Sequence, residues 1–161
     1  MPMDCMDNIN WGNCLWFEGR SEKRNVFAGM ISGLLFAIGW WLIIDVMAVN
    51  PGQVPGTYHI CGLVGTLSFF MINSVSNSQI RGEAYSGGWF GPRGARSWLF
   101  MGFVLGFAAV IAASWITIDN FVAVKFPAQS NMTVGFELLF QNAFIFAASL
   151  IYKVGRVEDQ W

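Results

Sequence analysis

The chain has 161 residues, 55% of them hydrophobic and only 12% charged, with a formal net charge of −1. That charged fraction is about half of what an ordinary soluble domain carries, too little to cover a globule in water, and it points to a membrane protein. The near-neutral balance excludes the basic field that nucleic-acid binding requires, the apolar bulk excludes intrinsic disorder, and three cysteines with one histidine make neither a disulfide framework nor a metal cluster.

The first 25 residues carry Trp11, Leu15, Trp16 and Phe17 ahead of a basic cluster, Arg20, Lys23 and Arg24. They read as a cytosolic or interfacial segment, either a short amphipathic element or a loose tail. No cleavable signal peptide is expected, because the apolar run that follows is too long and lacks a small-residue cleavage site. Cys5 and Cys14 would be membrane-proximal, and free thiols are expected there rather than acylated ones. Four apolar runs follow, at about 26–49, 58–80, 97–118 and 133–154, each long enough to cross a hydrocarbon core as a helix. Turn residues separate them: Asn50-Pro51-Gly52 with Pro55-Gly56, a Gly-rich stretch from Gly87 to Gly94, and Pro127. Short connections make consecutive helices antiparallel neighbours. The expected fold is an all-α integral membrane protein, four transmembrane helices forming an up-and-down bundle over 26–154, with a cytosolic tail at 155–161.

Orientation follows from the basic residues. Arg20, Lys23 and Arg24 precede span one, Arg81, Arg93 and Arg96 lie between spans two and three, and Lys153 and Arg156 close span four, whereas Lys125 alone lies on the other side. The positive-inside rule then places both termini in the cytosol. Asn131-Met132-Thr133 is a glycosylation sequon in a lumenal loop, set too close to span four for modification to be expected at Asn131.

Within the spans, Gly29 and Gly33 on span one and Gly102 and Gly106 on span three are small residues at four-residue spacing, which lets helix backbones approach. Packing inside the bundle is favoured over a dimerisation face. Asn73 and Asn77 sit one turn apart on span two, so they would share a face, and Gln141 and Asn142 lie on span four. Counting about 1.5 Å per residue from Arg81 and Lys153 puts Asn73 and Asn142 within about one turn in depth, near enough to bond across helices. These amides read first as packing glue, with a polar cavity for a lipid headgroup, or a contact for another subunit, as the sharper alternative. Asp45, Asp119 and Glu137, with His59, gather toward the lumenal end; helix-end positions account for them, and an ion or proton pathway is a remote alternative because no charge lies near mid-membrane. No phosphate-binding loop, nucleophile elbow or paired-carboxylate arrangement occurs, so no catalytic, cofactor-binding or metal-ligating residue is assigned. The segment RGEAYSGGWFGPRGAR reads as a cytosolic turn whose arginines lie near anionic headgroups.

The blocks EKRN, LLFAIGWWLIIDVMAVNP, MINSVSNSQIRGEAYS, GARSWLFMGFVL and FQNAFIFAASLIYKVGRVEDQW, in this order from about Glu22 onward, resemble the transmembrane protein 50 family, also called small membrane protein one and related to fungal vacuolar protein sorting protein 68. The resemblance implies a four-span protein of the endoplasmic reticulum, Golgi and endosomes without recognised enzymatic activity. It supplies no catalytic or ligand residue. It implies that Trp40, Trp41, Asp45, Asn73, Asn77, Arg81, Gln141 and Asn142 belong to the family pattern. The expected function is therefore a non-enzymatic accessory subunit that joins other integral membrane proteins in a hetero-complex and supports endosomal or late-secretory trafficking. The alternative is a lipid-handling subunit at an endoplasmic-reticulum contact site, with phospholipid as its only bound group.

Overall fold

The computed structural model describes residues 11–52, 54–83, 91–122 and 132–158, with side chains from residue 22 onward except Val122. Among these residues the structure is entirely helical: α1 (Trp11–Val49), α2 (Tyr58–Ser74), α3 (Asn77–Arg81), α4 (Pro92–Ile116, continuing as a π-helical turn over Thr117–Val122) and α5 (Met132–Gly155). Asn131, Lys125 and Cys5 lie outside the described residues, and Cys14 and Arg20 outside the described side chains.

The helix that carries the first span starts well before Val26. No proline interrupts the chain between Trp11 and Val49, and helix α1 runs the whole way, 39 residues, ending just before Pro51. Its aromatic N-terminal stretch thus belongs to the same helix as the span. Helix α4 opens on Pro92 at its first turn, where the missing amide proton costs nothing.

The second predicted span, by contrast, is broken. Val75 and Ser76 are extended, with ψ of 128° and 154°, and the chain restarts as the five-residue α3. The cause is a capping box: the Gln79 amide donates to Ser76 Oγ at 3.2 Å while the Ser76 amide donates to Gln79 Oε1 at 3.1 Å. Gly82 then closes α3 at φ 80°, a left-handed conformation that glycine adopts without steric cost. Asn73 and Asn77 consequently fall on different helices and do not share a face.

Among the described residues three stretches are long and apolar enough to cross a membrane: Glu22–Val49, Pro92–Phe121 and Met132–Gly155. Helix α2 has 17 residues, about 26 Å of rise, a little short of the ~30 Å hydrocarbon core. The helices alternate in direction. Arg24 meets Gly155 and Ser32 meets Ala148, so α1 and α5 are antiparallel. Ser68 bonds Gly102 and Arg96 bonds Ile80, so α2 and α4 are antiparallel too. Gly62 faces Gln141 and Val75 meets Lys153, which makes α2 parallel to α5. Helix α5 is central and packs against α1, α2 and α4.

The close approach rests on small residues. A Cβ at Gly102 would lie 2.9 Å from Ile72 Cγ1, and one at Gly106 would lie 2.6 Å from both the Phe146 ring and Ser68 Oγ. This glycine pair packs inside the bundle. The equivalent pair on α1 does not: Gly29 has Tyr152 at 4.0 Å and Gly33 has nothing within 4 Å. Beyond the amide level, Ile43, Val46, Ala113, Phe121, Val134 and Leu138 form the buried apolar cluster, and the π-helical turn helps by laying Phe121 onto Gly135.

Candidate functional site

Two polar layers stand out in this apolar bundle. The first surrounds Gln141 and Asn142 on α5, which are 0% and 1% exposed. Glycines on α2 make room for them: a Cβ at Gly62 would lie 2.5 Å from Gln141 Nε2, and one at Gly65 would lie 3.4 Å from Asn142 Oδ1. On α1, a Cβ at Gly39 would lie 3.1 Å from the Gln141 carbonyl. Asn142 Nδ2 donates to the Leu138 carbonyl of its own helix at 3.0 Å, while Asn142 Oδ1 and both terminal atoms of Gln141 have no partner within the protein. Several neighbouring groups are paired, although Ser149 Oγ, like these amide atoms, has no partner. Trp40 Nε1 donates to Thr66 Oγ1, Thr66 donates to the Gly62 carbonyl, and Ser32 and Ser68 donate across helices to Ala148 and Gly102.

Asn73 lies on α2, half-buried, and donates back to Phe69 at 2.9 Å rather than to Asn142. The expected bond between spans is thus absent. Since Val75 is level with Lys153 and Gly65 with Asn142, Asn73 stands about two turns away from Asn142. The contact at Gly62 closes the α2 side of the Gln141 amide.

The second layer is an end of the bundle tied together by a set of polar connections. Arg24 donates from Nε to the Gly155 carbonyl at 3.1 Å and from Nη2 to Val154 at 3.4 Å, supplying donors to carbonyls that the end of α5 leaves unpaired. Asn25 and Val157 bond reciprocally, at 2.9 and 2.7 Å. Lys153 Nζ donates to the Val75 carbonyl exposed by the helix break, and Glu158 accepts from the Asn77 amide at 2.6 Å. Arg156 reaches Glu158 at 3.9 Å, and Arg96 Nε donates to Ile80 at 2.9 Å. Basic residues that are far apart in sequence thereby meet at one end. Asn77, expected on an intramembrane face, instead belongs to this clasp. Replacing Asn25 with leucine removes two half-buried bonds, so stability is expected to fall by about 1–2 kcal/mol. Hydrogen exchange at the Val157 amide should rise with it; protection equal to wild type would show that the clasp contributes nothing.

At the opposite end Asp45 is exposed and Asp119 and Glu137 are half-buried. Asn120 Nδ2 donates to Tyr58 Oη at 3.1 Å, and Glu137 Oε2 has no hydrogen-bond partner. Among the described residues no group of three or more His, Cys, Asp or Glu side chains is placed to hold a metal ion.

Long apolar helices antiparallel about a central one, with charge confined to the ends, define a multi-pass α-helical membrane protein. The chain belongs to the Uncharacterised protein family (UPF0220), whose model matches residues 5–161, and this is the transmembrane protein 50 family that the sequence blocks resemble. A Transmembrane protein 50 homolog from Dictyostelium discoideum is 26% identical over 145 residues, covering 81% of this chain and 91% of the relative. No solved structure matches.

Proposed function

We propose that the protein spans an endomembrane four times, with both termini in the cytosol, and acts as a non-enzymatic accessory subunit of a larger membrane complex that supports endosomal or late-secretory trafficking. Four crossings are favoured by α2, which lies parallel to α5 from the level of Gly62 to that of Val75 and exposes Ile60, Leu63, Leu67 and Phe70, side chains suited to lipid rather than water. The cytosolic assignment is supported by the basic residues meeting at one end.

The observation that carries the subunit reading is the outward face of α1. Gly102 and Gly106 are consumed by packing within the bundle, whereas Gly29, Gly33 and Ala37 form a small-residue stripe one turn apart, with Gly33 and Ala37 exposed. In lipid, such a stripe lets another helix backbone approach closely. Helix α1 is available for this because it packs chiefly on α5.

Purification from native membranes in mild detergent is expected to yield a stoichiometric integral-membrane partner. Gly33→Leu should abolish its recovery while the isolated chain melts as wild type does. A monodisperse monomer without a partner, or a Gly33→Leu complex recovered in full, would refute this reading.

A further inference from the structure

Where α2 ends and α3 turns aside, a groove of about 280 Å³ opens between α3 and α4, lined by Ser74, Val75, Gln79, Ala95 and Trp98. We propose that this groove is a binding site for the headgroup and glycerol region of an anionic phospholipid. The inference stands independently of the accessory-subunit reading.

The groove's depth fits that ligand. Its floor adjoins the Val75 carbonyl held by Lys153, the level at which the bundle passes from apolar packing to charge, and Trp98 is 41% exposed with Nε1 donating to Ser74 Oγ at 3.2 Å. An indole with one wet edge and one apolar face is characteristic of the headgroup boundary. Val75, Ala95 and the Trp98 ring supply an apolar wall, which argues for a lipid over a soluble phosphate. Gln79 accepts from the Ser76 amide through Oε1 at 3.1 Å, so the other end of its amide is the donor group Nε2.

The rim supplies the charge. Arg96 bridges the two walls, with Nε bound to the Ile80 carbonyl at 2.9 Å, which holds its guanidinium beside the groove. Arg93 is exposed one turn earlier on α4, whose first amides lack intrahelical acceptors. Arg81, two residues after Gln79 on α3, is paired with Glu83 at 3.3 Å. A guanidinium fork beside a helix N-terminus favours a phosphodiester, and a second negative charge on the headgroup adds to the attraction. At about 280 Å³ the groove is just below the roughly 300–1,000 Å³ of drug-sized ligand clefts, a size suited to a headgroup alone and not to acyl chains. The chains would lie along the exposed apolar faces of α2 and α4, where Phe70, Phe100 and Met101 stand.

The test uses the full-length protein, delipidated in detergent and offered phosphatidylserine or phosphatidylcholine. Native mass spectrometry should show phosphatidylserine retained in preference, and an Arg93→Gln, Arg96→Gln double variant should lose that preference by about tenfold while its circular dichroism is unchanged. In nanodiscs, Trp98 emission, isolated as the difference between wild type and Trp98→Phe, should be quenched more by brominated phosphatidylserine than by brominated phosphatidylcholine, and the double variant should equalise the two. Equal retention of both lipids, or a preference unchanged in the double variant, would overturn the proposal. Displacement of the bound lipid by millimolar inorganic phosphate would make the groove a phosphate site, and absence of Trp98 quenching by either lipid would put the lipid elsewhere on the protein; either result overturns the lipid assignment.

Discussion

Gly106→Leu is expected to cost about 2–4 kcal/mol of stability and to pull α4 away from the centre of the bundle. The position is enclosed on two sides. A Cβ there would stand 2.6 Å from two Phe146 ring carbons and 2.6 Å from Ser68 Oγ, and neither neighbour can retreat. The Phe146 ring is packed against Phe107 at a centroid distance of 4.8 Å, and Ser68 is held by its 2.6 Å bond to the Gly102 carbonyl one turn away. Overpacking of this kind costs about 1–3 kcal/mol, and the buried serine bond adds about 1 kcal/mol when the helices separate. Gly33→Leu is the matched control, with the same substitution in the same sequence motif on a helix of similar character. Its new side chain meets nothing within 4 Å, so its effect should stay within about 0.5 kcal/mol. Unfolding of both variants in mixed detergent micelles gives the comparison. Equal destabilisation would mean that α1 and α4 are packed alike and that the outward stripe does not exist.

That contrast also marks where the sequence stops being informative. Gly29 with Gly33 and Gly102 with Gly106 are the same pattern, and packing inside the bundle was the natural reading of both. Which face of a helix turns inward is decided by its neighbours, and α4 has two helices against its glycine face whereas α1 leaves Gly33 uncovered. The apolar runs and the gathering of basic residues were plain, because hydrophobic length and charge bias are averages over many positions. The break in the second run was not, because the same averaging hides it: Val75 and Ile80 keep the run apolar across Ser76-Asn77-Ser78-Gln79. The signal was present in the form of a serine followed three residues later by a glutamine, a capping box that starts a new helix. An unbroken helix counted back from Arg81 misplaces the depth of Asn73 by more than a turn, because the chain leaves the helix at Val75. The clasp left no local trace at all, with Arg24 and Gly155 separated by 131 positions.

Gln141→Met should make the protein more stable, by about 1 kcal/mol, which is the opposite sign from an amide that glues helices together. Gln141 is 0% exposed at the meeting of α1, α2 and α5, and neither its Nε2 nor its Oε1 bonds to the protein. An unpaired buried polar group costs about 1–3 kcal/mol, whereas interhelical bonds in membranes return about 0.6 kcal/mol on average even when they form. Methionine keeps the length and unbranched shape that the Gly62 contact demands and removes the polar atoms. Gln141→Ala separates shape from polarity: it also removes the amide but leaves a cavity where Gly62 and Gly39 converge, and should cost about 2 kcal/mol or more. A loss of stability on Gln141→Met would show that the amide finds a bond in the folded protein. A gain would mean that the residue is kept at the expense of stability. The partner complex sought with Gly33→Leu then becomes the place to look for what it does: if α2 and α5 shift when a partner helix docks on α1, Gln141 is the group whose bonding would improve. Recovery of that complex should then fall in Gln141→Met even as the isolated chain melts later, and unchanged recovery would confine the amide to the resting bundle.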